Sequence, residues 1–358
     1  MDIQVPDPGV YEAKVSLCQE YIAAGESYEL CLTDQTLVTR RFNLDARVGG
    51  SCGSVDEAEP EPGLEPGQVD NNDMSWAMFK TLRARQPVPF GSYLRLGGAT
   101  LVSSSPERFL EHDAHGLCSM RPMKGTVRKR RKSATGGRGE GAGESAGAAT
   151  LEEAERILHV PKEEAENLMI VDLVRHDLHG VCGAGNVRVP HLLKVEEYAS
   201  VFQMITVVEG RLHSATRGTG DHAGGGSPPS SPAYTGLDAL AASLPPGSMT
   251  GAPKKRSCEI LRGIEGGRER SLYSGVVGYI DVTGRGDWSV TIRSLFRWDD
   301  ETKVEVVAEG GAETSTSATE TWHVGAGGAV TILSTAAGER DEMMAKLAGP
   351  LGIFGVSL

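Results

Sequence analysis

Three stretches, residues 47–73, 133–149 and 213–236, carry almost no large apolar side chains and are dominated by Gly, Pro, Ser, Ala and charged residues. Such segments cannot bury enough apolar surface to offset the entropy of ordering, so the core must be built from the sequence between them. They read as expansions of surface loops within one domain of about residues 10–350, tolerated because loop-closure entropy grows slowly with length. The 358 residues suffice for a substantial core. No run approaches the roughly 18 apolar residues of a membrane span, and a formal charge of −12 argues against nucleic acid as a partner. The one basic run, Arg128-Lys-Arg-Arg-Lys132, reads as a solvated loop. Six dispersed cysteines without a C-x-x-C pair suggest free thiols in a reducing compartment. No signal or transit segment opens the sequence, which fits a cytosolic protein or a chain without its true N-terminus.

Apolar residues at helical spacing predict helices over 10–24, 74–85, 162–178, 252–264 and 336–347, the third opened by Pro161 in its first turn. Strands are predicted at 28–33 and 89–96, twice within 100–110, and at 201–208, 275–282 and 288–296. Helices and strands without regular β-α-β spacing argue for an α+β fold.

In Arg121-Pro-Met-Lys-Gly-Thr126, Lys124 sits where proline and glycine constrain the backbone, so its side chain can be aimed. A lysine becomes a nucleophile once its pKa is lowered, by burial or by cations such as Arg121 and the 128–132 run. The alternative is a solvated loop lysine. Glu163 and Glu166 stand three apart on one predicted helix, as do Glu339 and Glu342 on another, so each pair shares a face. Four carboxylates from two helices would over-neutralise a site unless they met a hard cation, and oxygen ligands suit Mg²⁺. The alternative is two solvated helix faces. Residues 243–254 place Gly247, Ser248, Thr250 and Gly251 ahead of a helix, whose terminal N–H groups suit an anion. Gly325-Ala-Gly-Gly328 offers a second glycine wall, and Arg293, at the end of a strand, suits bidentate clamping of a carboxylate. A small dianion held around a cation is the ligand this set suggests.

Seven motifs occur in order over nearly the whole chain: Tyr28-Glu-Leu-Cys-Leu-Thr33, Ser105-Pro-Glu-Arg-Phe109, Arg121-Pro-Met-Lys-Gly-Thr126, Glu166-Asn-Leu-Met-Ile-Val-Asp-Leu-Val-Arg-His-Asp177, Pro246-Gly-Ser-Met-Thr-Gly-Ala-Pro-Lys254, Ser289-Val-Thr-Ile-Arg293 and Gly325-Ala-Gly-Gly328. Together they resemble the chorismate-utilising enzymes, and among these component I of the plant-type aminodeoxychorismate synthases. The resemblance implies an α+β domain of two packed antiparallel sheets flanked by helices, with the site at the mouth between them. It places the N-terminal part of that fold, and the glutamine amidotransferase that makes ammonia, outside this chain.

The resemblance also implies that Glu166 and Glu342 bridge Mg²⁺ to the ring carboxylate of chorismate, with Glu163 and Glu339 helping through water. Arg293, Tyr279, Gly327 and Gly328 would hold the enolpyruvyl carboxylate, Thr250 and Gly251 the ring carboxylate, and Lys254 would close that substrate-binding stretch. Lys124 would attack the ring at C2 as the C4 hydroxyl leaves. Ammonia would then enter at C4 and expel the lysine, giving 4-amino-4-deoxychorismate on the way to 4-aminobenzoate and folate. Glu107 would serve as an acid or base near C4, the alternative being a purely structural role. Plant members are plastidial, so cytoplasm and plastid stroma both stay open.

The same positions separate relatives. Anthranilate synthases usually carry alanine where Lys124 stands, and isochorismate and salicylate synthases keep a water-activating lysine where Glu29 stands. Anthranilate synthase component I is therefore the enzymatic alternative, and a non-catalytic chorismate-binding fragment the other. Two departures are plain: Phe202-Gln203 stands where many relatives carry a histidine, and His176 replaces an asparagine.

Overall fold

A computed structural model describes residues 1–43, 74–130, 147–198, 201–213, 234–309 and 313–356. The expected insertions fall outside these, apart from their flanks at 147–149, 213 and 234–236. The chain opens with β1 (Asp2–Gln4), α1 (Pro8–Ala23), β2 (Glu29–Asn43), α2 (Ser75–Arg85), β3 (Phe90–Leu96), β4 (Ala99–Ser105), β5 (Arg108–His112), β6 (Leu117–Met120) and β7 (Met123–Arg128). It continues through α3 (Leu151–Leu158), α4 (Pro161–Cys182), β8 (Val187–Glu197), β9 (Val201–Arg211), α5 (Gly236–Ser243), β10 (Gly251–Ala252) and α6 (Lys254–Ile264). The last elements are β11 (Val276–Ile280), β12 (Gly286–Val290), β13 (Ser294–Trp298), β14 (Lys303–Glu309), β15 (Glu313–Val330) and α7 (Ala336–Leu351).

The strands form two antiparallel sheets. One runs β1-β2-β15-β13-β4-β3, with β10 on β2 and β14 on β15; the other runs β11-β12-β5-β6-β9-β7, with β8 on β9. Side-chain alternation along a strand gives each sheet two faces. Leu30, Leu32, Val102, Leu295, Trp322 and Val324 fill one face of the first sheet, where helices bring Tyr11, Val15, Ile260 and Met343. Cys31, Leu101 and Phe296 join the opposite cluster, with Phe109, Leu110, Met120, Val208 and Val290 of the second sheet and Ile170 and Val174 of α4. The expected pair of packed antiparallel sheets is therefore present, and α4 and α7 carry the two acid pairs. Helix starts follow local chemistry: Asp7 accepts from Val10 N at the start of α1, Pro161 opens α4, and Thr335 accepts from Gly338 N at the start of α7.

Three sequence readings change. Residues 288–296 are not one strand but β12 and β13, which belong to different sheets. The 28–33 strand extends to Asn43 because β15 pairs with it from Ser317 to Val330. Gly325, Gly327 and Gly328 lie inside that ladder rather than in a loop. Among the described residues the cysteines are free, and no helix is long and apolar enough to cross a membrane.

Candidate active site

The chain crosses between the sheets twice at one corner. Pro106 and Glu107 carry β4 into β5, and residues 291–293 carry β12 into β13. The crossings are stitched together: Val290 N–H donates to the Glu107 carbonyl at 3.1 Å, Ser104 N–H to the Arg293 carbonyl at 3.4 Å, and Ser294 Oγ to Ser103 Oγ at 2.8 Å. Arg293 turns the corner at a φ of 54°, a left-handed conformation that is costly for a side-chain-bearing residue and that concentrates at functional sites.

Lys124 is aimed by a bulge. The register of β7 against β9 shifts between Met123 and Thr126, and Gly125 adopts a φ of 83°, the local kink by which a strand redirects one side chain. Lys124 Nζ thereby reaches Glu29 Oε1 of the other sheet at 3.0 Å. Glu29 is fully buried, and 12% of the Lys124 side chain is exposed. Behind Glu29, β10 lies against β2 so closely that a Cβ on Gly251 would stand 2.1 Å from the Glu29 carbonyl.

Burial works to lower the Lys124 pKa, but the Glu29 and Glu166 carboxylates outweigh it and hold the ammonium above the usual lysine range. This corrects the expectation of a lysine acidified by burial and cations, since carboxylates surround it and Arg121 is exposed. Burial pushes the Glu107 carboxyl above the usual range, opposed by a hydrogen bond from Ser248 and by the charges of Lys124 and Lys346. Burial likewise pushes the neighbouring Cys31 thiol up to about 11. Burial pulls the Arg293 guanidinium below its usual value, against Tyr273 and Glu342. Among the described residues Arg293 makes no ion pair, so its fork is open to an anion. A shallow cleft lined by Glu107, Pro122, Ile170, Gly247 and Ser248 adjoins this corner.

The two acid pairs flank the cluster at two glycines. A Cβ on Gly125 would stand 3.0 Å from Glu163 Oε2, and one on Gly328 would stand 2.4 Å from Glu339 Oε2 and 3.8 Å from Glu342 Cδ. Ser334 Oγ donates to Glu339 Oε1 at 2.6 Å, fixing that carboxyl. Lys346 Nζ lies 2.6 Å from Glu342 Oε1 and donates to the Gly327 carbonyl at 2.7 Å. Among the described residues no three His, Cys, Asp or Glu side chains converge at metal-ligand spacing. The donors nonetheless have the chemistry of a hard-cation site, carboxylate oxygens set against glycines that leave them room.

Other expected residues stand elsewhere. Tyr279 is 62% exposed on β11, paired with Asp287 near the end of β12 remote from the crossing that holds Arg293. Tyr273 is the tyrosine by the site: it is buried, its ring fills the space a Cβ on Gly325 would take, and it interacts with Arg293. Lys254 bonds Asp177 Oδ2 at 2.7 Å and the Ser243 carbonyl at 2.8 Å, a buried tie between α4 and the start of α6 rather than a free cation. Helix α6 begins only at Lys254, so the N–H groups of Thr250 and Gly251 are not those of a helix terminus, and the Thr250 hydroxyl turns back to the Gly247 carbonyl at 3.3 Å. Sequence reasoning missed Lys346, although its i+4 spacing from Glu342 was a usable signal. It also missed Tyr273, which only the fold brings in; Ser248, read as part of an anion-binding loop, instead bonds the Glu107 carboxyl.

Residues 67–352 match the family model described as chorismate binding enzyme. The chain is 36% identical to aminodeoxychorismate synthase of Saccharomyces cerevisiae over 98% of its own length and 37% of that protein's. It is 33% identical to the chloroplastic aminodeoxychorismate synthase of Arabidopsis thaliana, over 97% of this chain and 29% of that one. The chain thus spans about a third of the length of these curated relatives. Its fold is shared with anthranilate synthase component I from Streptococcus pneumoniae TIGR4, with a TM-score of 0.63 at 20% identity, covering 98% of this chain and 59% of that one. With the family model covering most of its residues, the chain belongs to the chorismate binding enzyme family.

Proposed function

We propose that this chain is the chorismate-aminating domain of an aminodeoxychorismate synthase, forming 4-amino-4-deoxychorismate from chorismate and ammonia. The observation that carries this reading is Lys124, an amine aimed by a bulge into a largely buried corner that also holds Glu107 and the open fork of Arg293. Arg293, with Tyr273 beside it, binds one carboxylate of chorismate. Lys124 attacks C2 as the C4 hydroxyl departs, and Glu107, which burial biases toward its protonated form, hands a proton to that leaving oxygen. Ammonia then enters at C4 and the lysine is expelled.

Glu166 and Glu342, backed by Glu163 and Glu339, would hold Mg²⁺, which when bound would withdraw charge from the ring and make C2 more electrophilic. Ammonia reaches the domain from a glutamine amidotransferase unit of the same assembly, or from free ammonium in its absence.

The test is incubation of the purified chain with chorismate, Mg²⁺, ammonium and an added aminodeoxychorismate lyase. Formation of 4-aminobenzoate supports the reading. Anthranilate would assign the chain to the other amination outcome, and a chain that binds chorismate but makes neither product would be a binding fragment.

A further inference from the structure

Lys124 is protonated at rest, and an ammonium has no lone pair to attack with. Among the described residues its Nζ donates to Glu29 alone, at 3.0 Å, inside the 2.6–3.2 Å reach of a general base. We propose that Glu29 is that base: its carboxylate takes the proton from Lys124 Nζ as the amine attacks chorismate and returns it when the lysine is expelled. The proposal rests on the lysine reading above and deepens it.

The other groups facing Lys124 do not serve. Cys31, also on β2, keeps its proton because burial pushes the thiol up to about 11. Glu107, from the β4–β5 crossing, is biased by burial toward the acid form and suits the opposite task. Glu166 on α4 acts on Lys124 through its charge, whereas Glu29 also accepts the Nζ hydrogen bond. Glu29 has what a base needs. It is fully buried on a strand locked from behind by β10, and its Oε2 has no hydrogen-bond partner among the described residues.

The step balances. The Nζ proton passes to Glu29 Oε1, and the Nζ lone pair forms the bond to C2. The C1–C2 π pair moves to C1–C6, the C5–C6 pair moves to C4–C5, and the C4–O bond breaks. The leaving hydroxide takes the proton of Glu107 and departs as water. When ammonia bonds to C4 the electron pairs return and the N–C2 bond breaks toward nitrogen. The free amine then recovers its proton from Glu29, and the new C4 ammonium restores the proton on Glu107.

The test compares the wild type with Glu29→Gln, which keeps the shape and removes the base. Two readouts are followed: 4-aminobenzoate formation with added lyase, and labelling of Lys124 by trinitrobenzenesulfonate, mapped by mass spectrometry. Turnover is expected to fall by about 10²–10⁴-fold, with chorismate affinity held within about twofold. Labelling of Lys124 is expected to accelerate, because the carboxylate that holds its proton is gone. Turnover that stays within a few-fold of wild type, or rises together with labelling, overturns the proposal. Should Glu29→Gln not fold, Glu29→Asp keeps the charge but withdraws it by one methylene. Slower turnover with Asp supports the base, and full activity with Asp reduces Glu29 to charge balance. A wild type that makes no 4-aminobenzoate sinks the aminating function itself, and the labelling comparison still decides whether Glu29 holds the lysine proton.

Discussion

Glu107 and Arg293 share one corner of the molecule because each lies in a crossing between the two sheets, and the Val290 amide bonded to the Glu107 carbonyl at 3.1 Å ties one crossing to the other. The pairing holds a buried carboxyl and a guanidinium on backbone that cannot drift apart.

Arg293→Lys should weaken chorismate binding by about 10- to 100-fold, since a point charge replaces a fork and a hydrogen bond to a charged group contributes about 1.5–3 kcal/mol. Calorimetric titration against the wild type reads this directly. Unchanged affinity would mean that the substrate carboxylate lies elsewhere.

Lys124→Met leaves Glu29 buried with no counter-charge. Removing one partner of a buried ion pair costs about 3–5 kcal/mol, whereas replacing both by apolar groups is often neutral. Urea unfolding should therefore show Lys124→Met less stable than wild type and Glu29→Leu/Lys124→Met restored. A double variant as unstable as the single would show that the pair is not a closed unit.

Burial raises the Glu107 pKa in the folded chain, so the folded state keeps a proton that the unfolded chain releases. Stability from this group is intact below the unfolded pKa, about 4.3, and is lost as pH rises from there through the higher folded value. Glu107→Gln should accordingly melt higher than wild type at pH 8, with the difference vanishing near pH 4. Parallel melting curves at both pH values would contradict the sign.

Lys254→Met should lower stability by about 3 kcal/mol, because Asp177 is left buried and unpaired. Chorismate affinity in the surviving folded protein should be unchanged. A selective loss of affinity would instead return Lys254 to the substrate.

Glu166→Gln and Glu342→Gln should each abolish saturable Mn²⁺ uptake monitored by electron paramagnetic resonance. Glu163→Gln and Glu339→Gln, as supporting groups, should weaken it by about 10- to 100-fold. Equal effects from all four would put them in one ligand shell.

Much of this was legible in the sequence. Pro161 and the 162–178 periodicity gave α4 and its acid pair, and the Pro-x-Lys-Gly-Thr spacing gave a constrained lysine. What eluded the sequence were distances set by tertiary pairing. Trp288 to Phe296 reads as one continuous β-rich run, and only the left-handed turn at Arg293 divides it between sheets. The inward positions of β15 include Ala318 and Ala326, too small to announce a strand that the length of β2 demands. The resemblance pointed to Tyr279, which is exposed, whereas Tyr273 is the buried tyrosine beside Arg293. The rise in the Lys124 pKa was illegible because Glu29 is far away along the chain and only sheet packing makes them partners.

That partnership straddles the seam between two stacked sheets, and Phe296, Leu110 and Val290 fill the same seam. The gap between nitrogen and carboxylate is thus a caliper for how the layers are seated. A slip of about 1 Å can cost about 100-fold in rate, so substitutions deep in that interior, touching no substrate, would be felt as lost turnover before they were felt as lost folding. Under the proposed activity, the spacing at the mouth therefore constrains the hydrophobic interior as strictly as folding does.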